Sequence, residues 1–207
     1  MNAYLKKQIH CISCETSCLI SPEKSVCSLY CDHTQFAVWP EVNIYFKNGV
    51  IEKFLMKYKN HLPRGFIFID FSFANLRYFV KSDWVDYLIG TKMYIILIAD
   101  KKMSSLANYW LVNRQEIRGV IYSCDREDAI EQKIKRLFRG ELANRRMGET
   151  LNRAEYSLLA HFIAGRGFKE IIELDQLKPK EVYVRKLRLE NKFGCRTNAI
   201  FCQIAGQ

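Results

Sequence analysis

The sequence predicts an α/β domain built on a parallel sheet, followed by a smaller domain made only of helices. Three observations support this prediction. Between about residues 36 and 140, short apolar segments alternate with amphipathic ones, as in strands connected by helices. Residues 140–150 contain two glycines, an asparagine and two adjacent arginines, which favours a linker. Residues 151–207 contain no strand pattern.

Length and composition set the limits of this organisation. The chain has 207 residues, of which 49% are apolar, so it can bury a core of ordinary size. We predict a cysteine-rich segment at 1–35, the α/β domain at 36–139, the linker at 140–150 and the helical domain at 151–207. The chain contains no stretch of about 18 apolar residues, and its N-terminus lacks the apolar part of a signal peptide. The sequence therefore predicts a cytoplasmic protein with no membrane partner.

The elements of the α/β domain follow from apolar periodicity. Three segments read as buried strands, and these are Gly65–Phe71, Met93–Ala99 and Ile117–Ser123. Residues 36–46 are a weaker strand candidate. Four segments read as helices, and these are Val50–Tyr58, Ala74–Val80, Ser104–Asn113 and Arg126–Leu137. Strands that alternate with helices predict a flavodoxin-like parallel sheet with right-handed crossovers.

The C-terminal domain is predicted to contain a helix-turn-helix. Asn152 followed by Glu155 is a variant of the capping box, which marks the start of a helix. A short second helix is followed by a tight turn, and Pro179 fits the first turn of a third helix. Gly194 is a natural stop for that helix, so we place it at about 179–193.

Charge and pattern point to the third helix as the functional one. The chain carries a net charge of +10, and residues 178–196 hold seven basic against two acidic residues. Val182, Leu189 and Phe193 share one predicted buried stripe, which leaves a basic, polar face on the other side. Such a face favours entry into the major groove of DNA, with flanking cations on phosphates. The alternative is a helical bundle whose basic surface is merely solvated.

One motif runs through residues 151–199 without a gap. Its matching residues are Leu151, Glu155, Leu158, Leu159, Gly165, Lys169, Glu170, Ile171, Lys180, Val182, Lys192, Phe193 and Gly194. This pattern resembles the LuxR-type helix-turn-helix, also called the FixJ or NarL type. Asp175 stands where that family usually has leucine, and Glu181 replaces a threonine that commonly touches phosphate. The Glu181 carboxylate would repel a phosphate unless it reads a cytosine amino group or turns to solvent.

The resemblance implies a DNA-binding transcription regulator. The residues expected to face base edges are Lys180, Tyr183, Val184 and Arg188. The residues expected to hold phosphates are Lys169, Arg185, Lys186 and Lys192. Arg188 suits a bidentate contact to guanine, and Val184 suits a thymine methyl group. Such modules usually bind paired half-sites, so the expected partners are double-stranded DNA and a second copy, with another LuxR-type regulator as the alternative.

A second resemblance reaches into the α/β domain. The tract Ser105–Trp110, the segment Ile117–Tyr122 and the pair Val182-Tyr183 resemble the enterobacterial regulators of the common pilus. That likeness covers about residues 36–195. It implies control of fimbrial, pilus or other surface-structure genes.

The order of the two domains resembles that of response regulators, which implies a receiver-like α/β domain. A phosphorylatable receiver needs an acidic pair for Mg²⁺, an aspartate ending its third strand, a hydroxyl ending its fourth and a lysine ending its fifth. Asp70 has the position of the aspartate, but Ile98 or Ala99 replaces the hydroxyl and Ser123 replaces the lysine. We therefore expect a degenerate receiver, used for dimerisation or partner contact. We expect Asp70 to cap a helix rather than to accept a phosphoryl group.

The N-terminal segment concentrates five of the eight cysteines within 21 residues, and these are Cys11, Cys14, Cys18, Cys27 and Cys31. Such spacings can seat Zn²⁺ or an iron–sulfur cluster, although they fit no standard two-pair ribbon. Thiols without a ligand are therefore the first expectation, and no cofactor is assigned. A metal site and a redox-sensing disulfide stay as alternatives.

Motifs of catalysis are missing from the sequence, which has no Gly-rich phosphate loop, no G-x-S-x-G and no H-E-x-x-H. We therefore predict no catalytic residues. Two alternatives to a regulator that binds DNA alone remain. The first is an auxiliary subunit that needs a partner regulator, motivated by Glu181, the exposed Leu187 and the degenerate receiver. The second is a regulator that senses metal or redox state through the N-terminal cysteines.

Overall fold

The computed structural model describes residues 9–13, 18–20, 36–58, 61–142 and 148–200. Part of the linker and three cysteines of the N-terminal cluster, Cys14, Cys27 and Cys31, lie outside the described residues. Within the described ranges, no helix combines the length and apolar composition needed to cross a membrane.

The α/β domain is built on one parallel sheet. Its strands are β3 (Phe36–Trp39), β4 (Phe66–Phe71), β5 (Tyr94–Ala99) and β6 (Ile117–Tyr122), preceded by a short antiparallel pair, β1 (Ile9–His10) and β2 (Leu19–Ile20). The strands β3 to β6 stand side by side in chain order, and all of them run parallel. Every residue of β3 and β4 is buried, as expected for strands covered on both faces. The predicted strands from residue 65 onward are thereby confirmed within a residue at each end.

Helices connect the strands and form the C-terminal domain. They are α1 (Ile44–Val50), α2 (Asp83–Ile89), α3 (Ser104–Asn113), α4 (Glu127–Phe138), α5 (Arg153–Ile163), α6 (Phe168–Asp175) and α7 (Pro179–Phe193). A π-helical turn, Ile51–Leu55, extends α1, and two 3₁₀ helices, Phe73–Tyr78 and Lys101–Met103, follow β4 and β5. The predicted helix Ser104–Asn113 is confirmed at both ends.

Two helices cover each face of the sheet. Side chains of α1 and α4 pack in one core around Phe66 and Phe68, while α2 and α3 pack in the other around Ile67 and Ile69. In a flavodoxin-like sheet the strand order is 2-1-3-4-5, and the reversal at strand 1 puts the first and last helices on one face. The described part of the chain therefore matches such a sheet without strand 2 and the helix after it.

The N-terminal segment occupies the edge that strand 2 would cover. Cys11 forms an antiparallel bridge with Ala37 of β3, and the Ile12 amide donates to the Phe36 carbonyl at 2.7 Å. An uncovered edge strand would leave such backbone groups free to pair with other chains. The hairpin of β1 and β2 thus completes the sheet at this side.

The structure differs from the predicted helices at three places. The helix predicted at Ala74–Val80 is the 3₁₀ helix Phe73–Tyr78. The helix predicted to begin after Gly49 begins at Ile44, because the Asn43 side chain caps it by accepting from the Phe46 amide at 3.1 Å. Gly49 lies inside α1 rather than before it. Helix α2 was absent from the prediction, although the two acidic residues of its first turn, Asp83 and Asp86, favour a helix start.

The C-terminal helices dock onto the α/β domain. The Tyr156 ring of α5 stacks on the Tyr109 ring of α3 with 4.4 Å between centroids, and the Tyr156 hydroxyl donates to the Val80 carbonyl. Burial raises the pKa of Tyr156 above its ordinary value. Phe193 of α7 lies 6.3 Å from Phe73, measured between ring centroids. One continuous apolar core therefore runs through both domains.

Candidate nucleic-acid interface

Helix caps position the helix-turn-helix. The Asn152 Oδ1 accepts from the Glu155 amide at 2.8 Å, and Glu155 Oε2 accepts from the Asn152 amide at 2.9 Å, which confirms the predicted capping box at the start of α5. Gln176, in the left-handed conformation with φ of 52°, ends α6. Gly194, with φ of 60°, ends α7 as predicted.

The side of α7 that faces the core is apolar and fully buried. Val182, Leu189 and Phe193 are each 0% exposed and belong to the core that α5 shares. This confirms the predicted stripe. Because the stripe faces inward, the side chains on the opposite side of α7 must face solvent.

The outward side of α7 forms one basic and apolar surface, which we call the α7 outer face. Its members are Lys180, Tyr183, Val184, Arg185, Leu187 and Arg188. Tyr183 is 54% exposed and Leu187 is 41% exposed. Lys180, Val184, Arg185 and Arg188, together with Glu181, line a shallow depression of about 290 Å³. Cationic groups that bind phosphates or guanine thus lie beside apolar groups that can contact thymine methyls.

The Glu181 carboxylate is engaged at the start of α7. Its Oε2 accepts from the Lys178 amide at 2.9 Å, and the Glu181 amide donates back to the Lys178 carbonyl at 2.9 Å. A carboxylate at this position satisfies a free helix N–H and interacts with the positive end of the helix dipole. The threonine-to-glutamate departure from the LuxR pattern therefore has a structural explanation.

We expect Glu181→Ala to lower the free energy of unfolding by about 1 kcal/mol, because the variant loses its cap at the N-terminus of α7. Glu181→Gln should lose less, since its amide oxygen can still accept from the Lys178 amide. Urea unfolding followed by circular dichroism measures both. Lys180→Ala, an exposed neighbour, is the control. Equal stability of Glu181→Ala and Lys180→Ala would show that the cap contributes nothing.

Lys192, expected from the sequence to hold a phosphate, has its cation engaged within the protein. Its Nζ donates to Glu155 Oε2 and to the Thr150 carbonyl, both at 2.7 Å. The side chain of Lys192 is 12% exposed and that of Glu155 is 2% exposed. Because Glu155 and Thr150 engage this cation, we leave Lys192 out of the proposed interface.

Of the other three predicted phosphate contacts, Lys186 and Lys169 differ in how accessible they are. Lys186 is partly buried, with its Nζ 3.6 Å from Glu190 Oε1 and 5.8 Å from the centre of the Phe168 ring. Glu190 also accepts from the backbone and side chain of Thr197, and these bonds lower its pKa. Lys169, in the first turn of α6, is exposed. Lys169 is therefore the more accessible of the two cations.

A polar contact inside the domain was not predicted. His161 Nε2 lies 3.0 Å from Asp175 Oδ1, and His161 Nδ1 lies 2.7 Å from an Arg166 guanidinium nitrogen. His161 is 9% exposed, so this contact ties α5 to the end of α6 from within. It explains why Asp175 is tolerated where the LuxR pattern has leucine. In the sequence, the only sign of this contact was the aspartate at position 175 where the LuxR pattern has leucine.

Two aspartates at the carboxyl ends of the strands make hydrogen bonds within the domain. Asp70 is 4% exposed and accepts from Asn43 Nδ2 at 3.2 Å. It does not cap the following helix, contrary to our expectation. The carboxylate that caps a helix here is that of Asp100, at the start of the 3₁₀ helix Lys101–Met103. It accepts from the Phe73 amide at 2.7 Å and from the Met103 amide at 2.9 Å.

Glu41 follows β3 at the place where a receiver has its acidic residues. Its carboxylate is 2.6 Å from Lys47 Nζ and 2.8 Å from His10 Nδ1. Partial burial acts to raise the pKa of Glu41, but the hydrogen bonds from Lys47 and His10 bring it below its ordinary value. The Lys47 cation thus pairs with this carboxylate, and His10 hydrogen-bonds to it. Among the described residues, no group of three or more His, Cys, Asp or Glu is arranged to hold a metal ion.

The fold and the interface together define a class: a receiver-like α/β domain followed by a LuxR-type helix-turn-helix. Comparison with protein families then identifies the chain more narrowly. The EcpR N-terminal domain family matches residues 10–138, which is more than half of the chain. The chain belongs to this family.

A relative from Escherichia coli (strain K12), the protein YqeH, is 38% identical over 195 residues, which is 94% of this chain and 93% of YqeH. Among solved structures, the complex of the response regulator RcsB with DNA is 14% identical with a TM-score of 0.36, over 78% of this chain and 80% of that one. Full-length FixJ from B. japonicum is 11% identical with a TM-score of 0.28, over 78% and 79%. Both TM-scores are below 0.5, so these two likenesses do not bear on function.

Proposed function

We propose that the chain is a DNA-binding transcription regulator that reads the major groove with α7. The observation that carries this proposal is the division of α7 into a fully buried stripe and the α7 outer face. A helix that docks by one side and presents cations and apolar groups on the other has the form of a recognition helix. The resemblance to common-pilus regulators favours fimbrial or other surface-structure genes as targets.

The proposal gives each residue of the interface a role. Arg188, which is exposed, would bind guanine through two hydrogen bonds. Val184 and Leu187 would pack on thymine methyl groups, and Lys180 and Tyr183 would approach base edges beside them. Lys169 of α6 and Arg185 would hold phosphates, which fixes the register of α7 in the groove. Two copies on paired half-sites would read enough base pairs for specificity.

We expect Arg188→Ala to weaken binding to the cognate site by about 1–3 kcal/mol while leaving affinity for random DNA nearly unchanged, because a base contact carries sequence information. Lys169→Ala is the matched variant. It should weaken binding to all DNA alike and reduce the slope of log affinity against log salt by about 1, because one phosphate contact is lost. Fluorescence anisotropy at several salt concentrations measures both effects.

These two variants also test where the interface lies. Lys135→Ala, on α4 of the α/β domain, removes an exposed cation of equal charge far from α7 in sequence and serves as the control. If Arg188→Ala and Lys135→Ala bound the cognate site with equal affinity, the assignment of the α7 outer face would be wrong.

An auxiliary subunit is the second candidate function. The observation that favours it is the exposure of Tyr183 and Leu187, which could contact protein as well as DNA. In that case the chain would bind a promoter only together with another LuxR-type regulator. A gel shift with the purified chain alone, with the partner alone and with the mixture separates the two candidates. A shift that requires the mixture favours the auxiliary subunit.

A further inference from the structure

Three cations surround a pocket at the amino ends of the parallel strands, which we call the amino-end pocket. Arg64 precedes β4, Lys92 precedes β5 and Arg118 lies near the start of β6, and all three line the pocket. Its volume is about 350 Å³. Among the described residues, Glu116 is the only acidic one that lines it. A concave surface with such an excess of positive charge attracts anions.

A bulge in β6 sets the position of Arg118. Ile95 of β5 pairs with Ile117 of β6, but the next residue of β5 pairs with Gly119. Arg118 is therefore the extra residue of β6, and a bulge re-aims the side chain at that position. The guanidinium carbon of Arg118 lies 4.5 Å from the centre of the Tyr94 ring, which is a cation–π contact at the wall of the pocket.

The Tyr94 ring is fixed by the sheet. The Tyr94 amide donates to the Gly65 carbonyl at 2.9 Å, and its ring packs on that of Phe66 with 5.4 Å between centroids. The guanidinium carbon of Arg64 lies 5.9 Å from the centre of the same Tyr94 ring. One ring therefore contacts two cations. Because like charges repel, an anion beside both of them would be stabilised.

Lys92 and Arg118 keep their charges available for a ligand. Within the described ranges neither of them forms an ion pair with a carboxylate, whereas Arg114, in the loop before β6, is 3.0 Å from Asp86. A contact with an aromatic ring does not neutralise the Arg118 guanidinium. Lys92 is exposed and has a φ of 59°, a conformation that favours glycine, so the turn itself does not require a lysine side chain.

We propose that the amino-end pocket binds a small phosphate-bearing anion. The planar fork of Arg118 would donate to two phosphate oxygens, and Lys92 would bind a third oxygen as a point charge. Arg64 adds positive charge at the wall, and the apolar side chain of Met93 offers a contact for the rest of the ligand. The volume of the pocket lies in the usual range for small-molecule sites, about 300–1,000 Å³. The site does not depend on DNA binding by α7.

Isothermal titration calorimetry of the full-length protein with pyrophosphate, at constant ionic strength, tests the site. We expect saturable binding at one site per chain. Arg118→Gln should weaken binding by about tenfold or more, because hydrogen bonds from a cation to phosphate are lost. Titration with ADP identifies the source of the phosphate. Tighter binding of ADP than of pyrophosphate supports a nucleotide ligand, and tighter binding of pyrophosphate supports a free inorganic anion.

A variant of opposite sign keeps the test independent of folding defects. Glu116→Gln should strengthen pyrophosphate binding by about twofold to fivefold, because it removes a like charge from the wall of the site. Lys135→Gln, at an exposed cation of α4 outside the pocket, is the control and should leave the affinity unchanged.

Three results would overturn the proposal. The first is the absence of saturable pyrophosphate binding by the parent. The second is equal affinity of the parent, Arg118→Gln and Glu116→Gln. The third is loss of binding in Arg188→Gln but not in Arg118→Gln, because that would place the anion on the α7 outer face.

Discussion

Replacing Lys192 with methionine is expected to lower the free energy of unfolding by about 3 kcal/mol, although Lys192 matches the LuxR pattern at a position expected to hold phosphate. Its Nζ lies 2.7 Å from the Glu155 carboxylate, which is 2% exposed. Removal of the cation leaves that carboxylate buried without an opposite charge, and breaking such a pair typically costs about 3–5 kcal/mol. Urea unfolding followed by circular dichroism provides the measurement.

The double variant Lys192→Met, Glu155→Gln is the matched control. Glutamine still accepts from the Asn152 amide, so the cap of α5 survives while the buried charge is gone. We therefore expect the double variant to be more stable than Lys192→Met alone. The account of Lys192 would be wrong if Lys192→Met unfolded like the parent but bound DNA with a smaller salt slope.

Replacing Phe193 with alanine is expected to lower the free energy of unfolding by about 4 kcal/mol, which is the usual range for a buried phenylalanine. Phe193 is 0% exposed, is the last residue of the buried stripe of α7, and contacts Phe73 of the α/β domain. The variant should lose both the packing of the helix-turn-helix and part of its docking. Urea unfolding monitored by circular dichroism gives the size of the loss.

Phe73→Ala separates those two contributions. Phe73 is 8% exposed and lies on the α/β side of the contact, so its loss affects docking and leaves the α7 stripe intact. We expect it to cost less than Phe193→Ala and to leave DNA binding measurable. Equal losses in the two variants would mean that Phe193 acts only through docking and that the stripe contributes little.

The parallel strands could be predicted because their signal is local. Tyr94–Ala99 is a continuous apolar run of strand length, and Phe66–Phe71 is apolar except for Asp70; a strand covered on both faces requires such runs. The capping box at Asn152 and the stop at Gly194 are local signals too. Helix α2 escaped prediction because its seven residues are too few to show a clear helical period.

The interface could be predicted less completely, because its details depend on contacts between distant residues. Lys192 and Glu155 are 37 positions apart, so no spacing rule shows that they pair. His161 and Asp175 lie on different helices, and their contact becomes visible only once α5 and α6 pack. Glu181 is the exception, since a glutamate three residues after a helix start is a recognisable cap.

In the α/β domain, acidic side chains at the carboxyl ends of the strands make structural contacts. Its Glu41 pairs with Lys47 and lies within hydrogen-bond distance of His10, and its Asp100 caps a 3₁₀ helix. The acidic groups at the carboxyl ends of the strands are thus engaged in structural hydrogen bonds. The same region supports the docked helices through Phe73 and the 3₁₀ helix Lys101–Met103. The domain thus serves as a platform for the helix-turn-helix in this structure.

Selection of duplexes from a random DNA library by the purified full-length chain tests the central proposal most directly. The account predicts enrichment of paired half-sites by the parent, and loss of sequence preference at one position of each half-site in Arg188→Ala. Lys169→Ala should keep the same preference at lower affinity. Enrichment of no sequence by the chain alone would contradict the proposal that α7 reads DNA by itself, and enrichment only with a partner regulator would establish the auxiliary subunit instead.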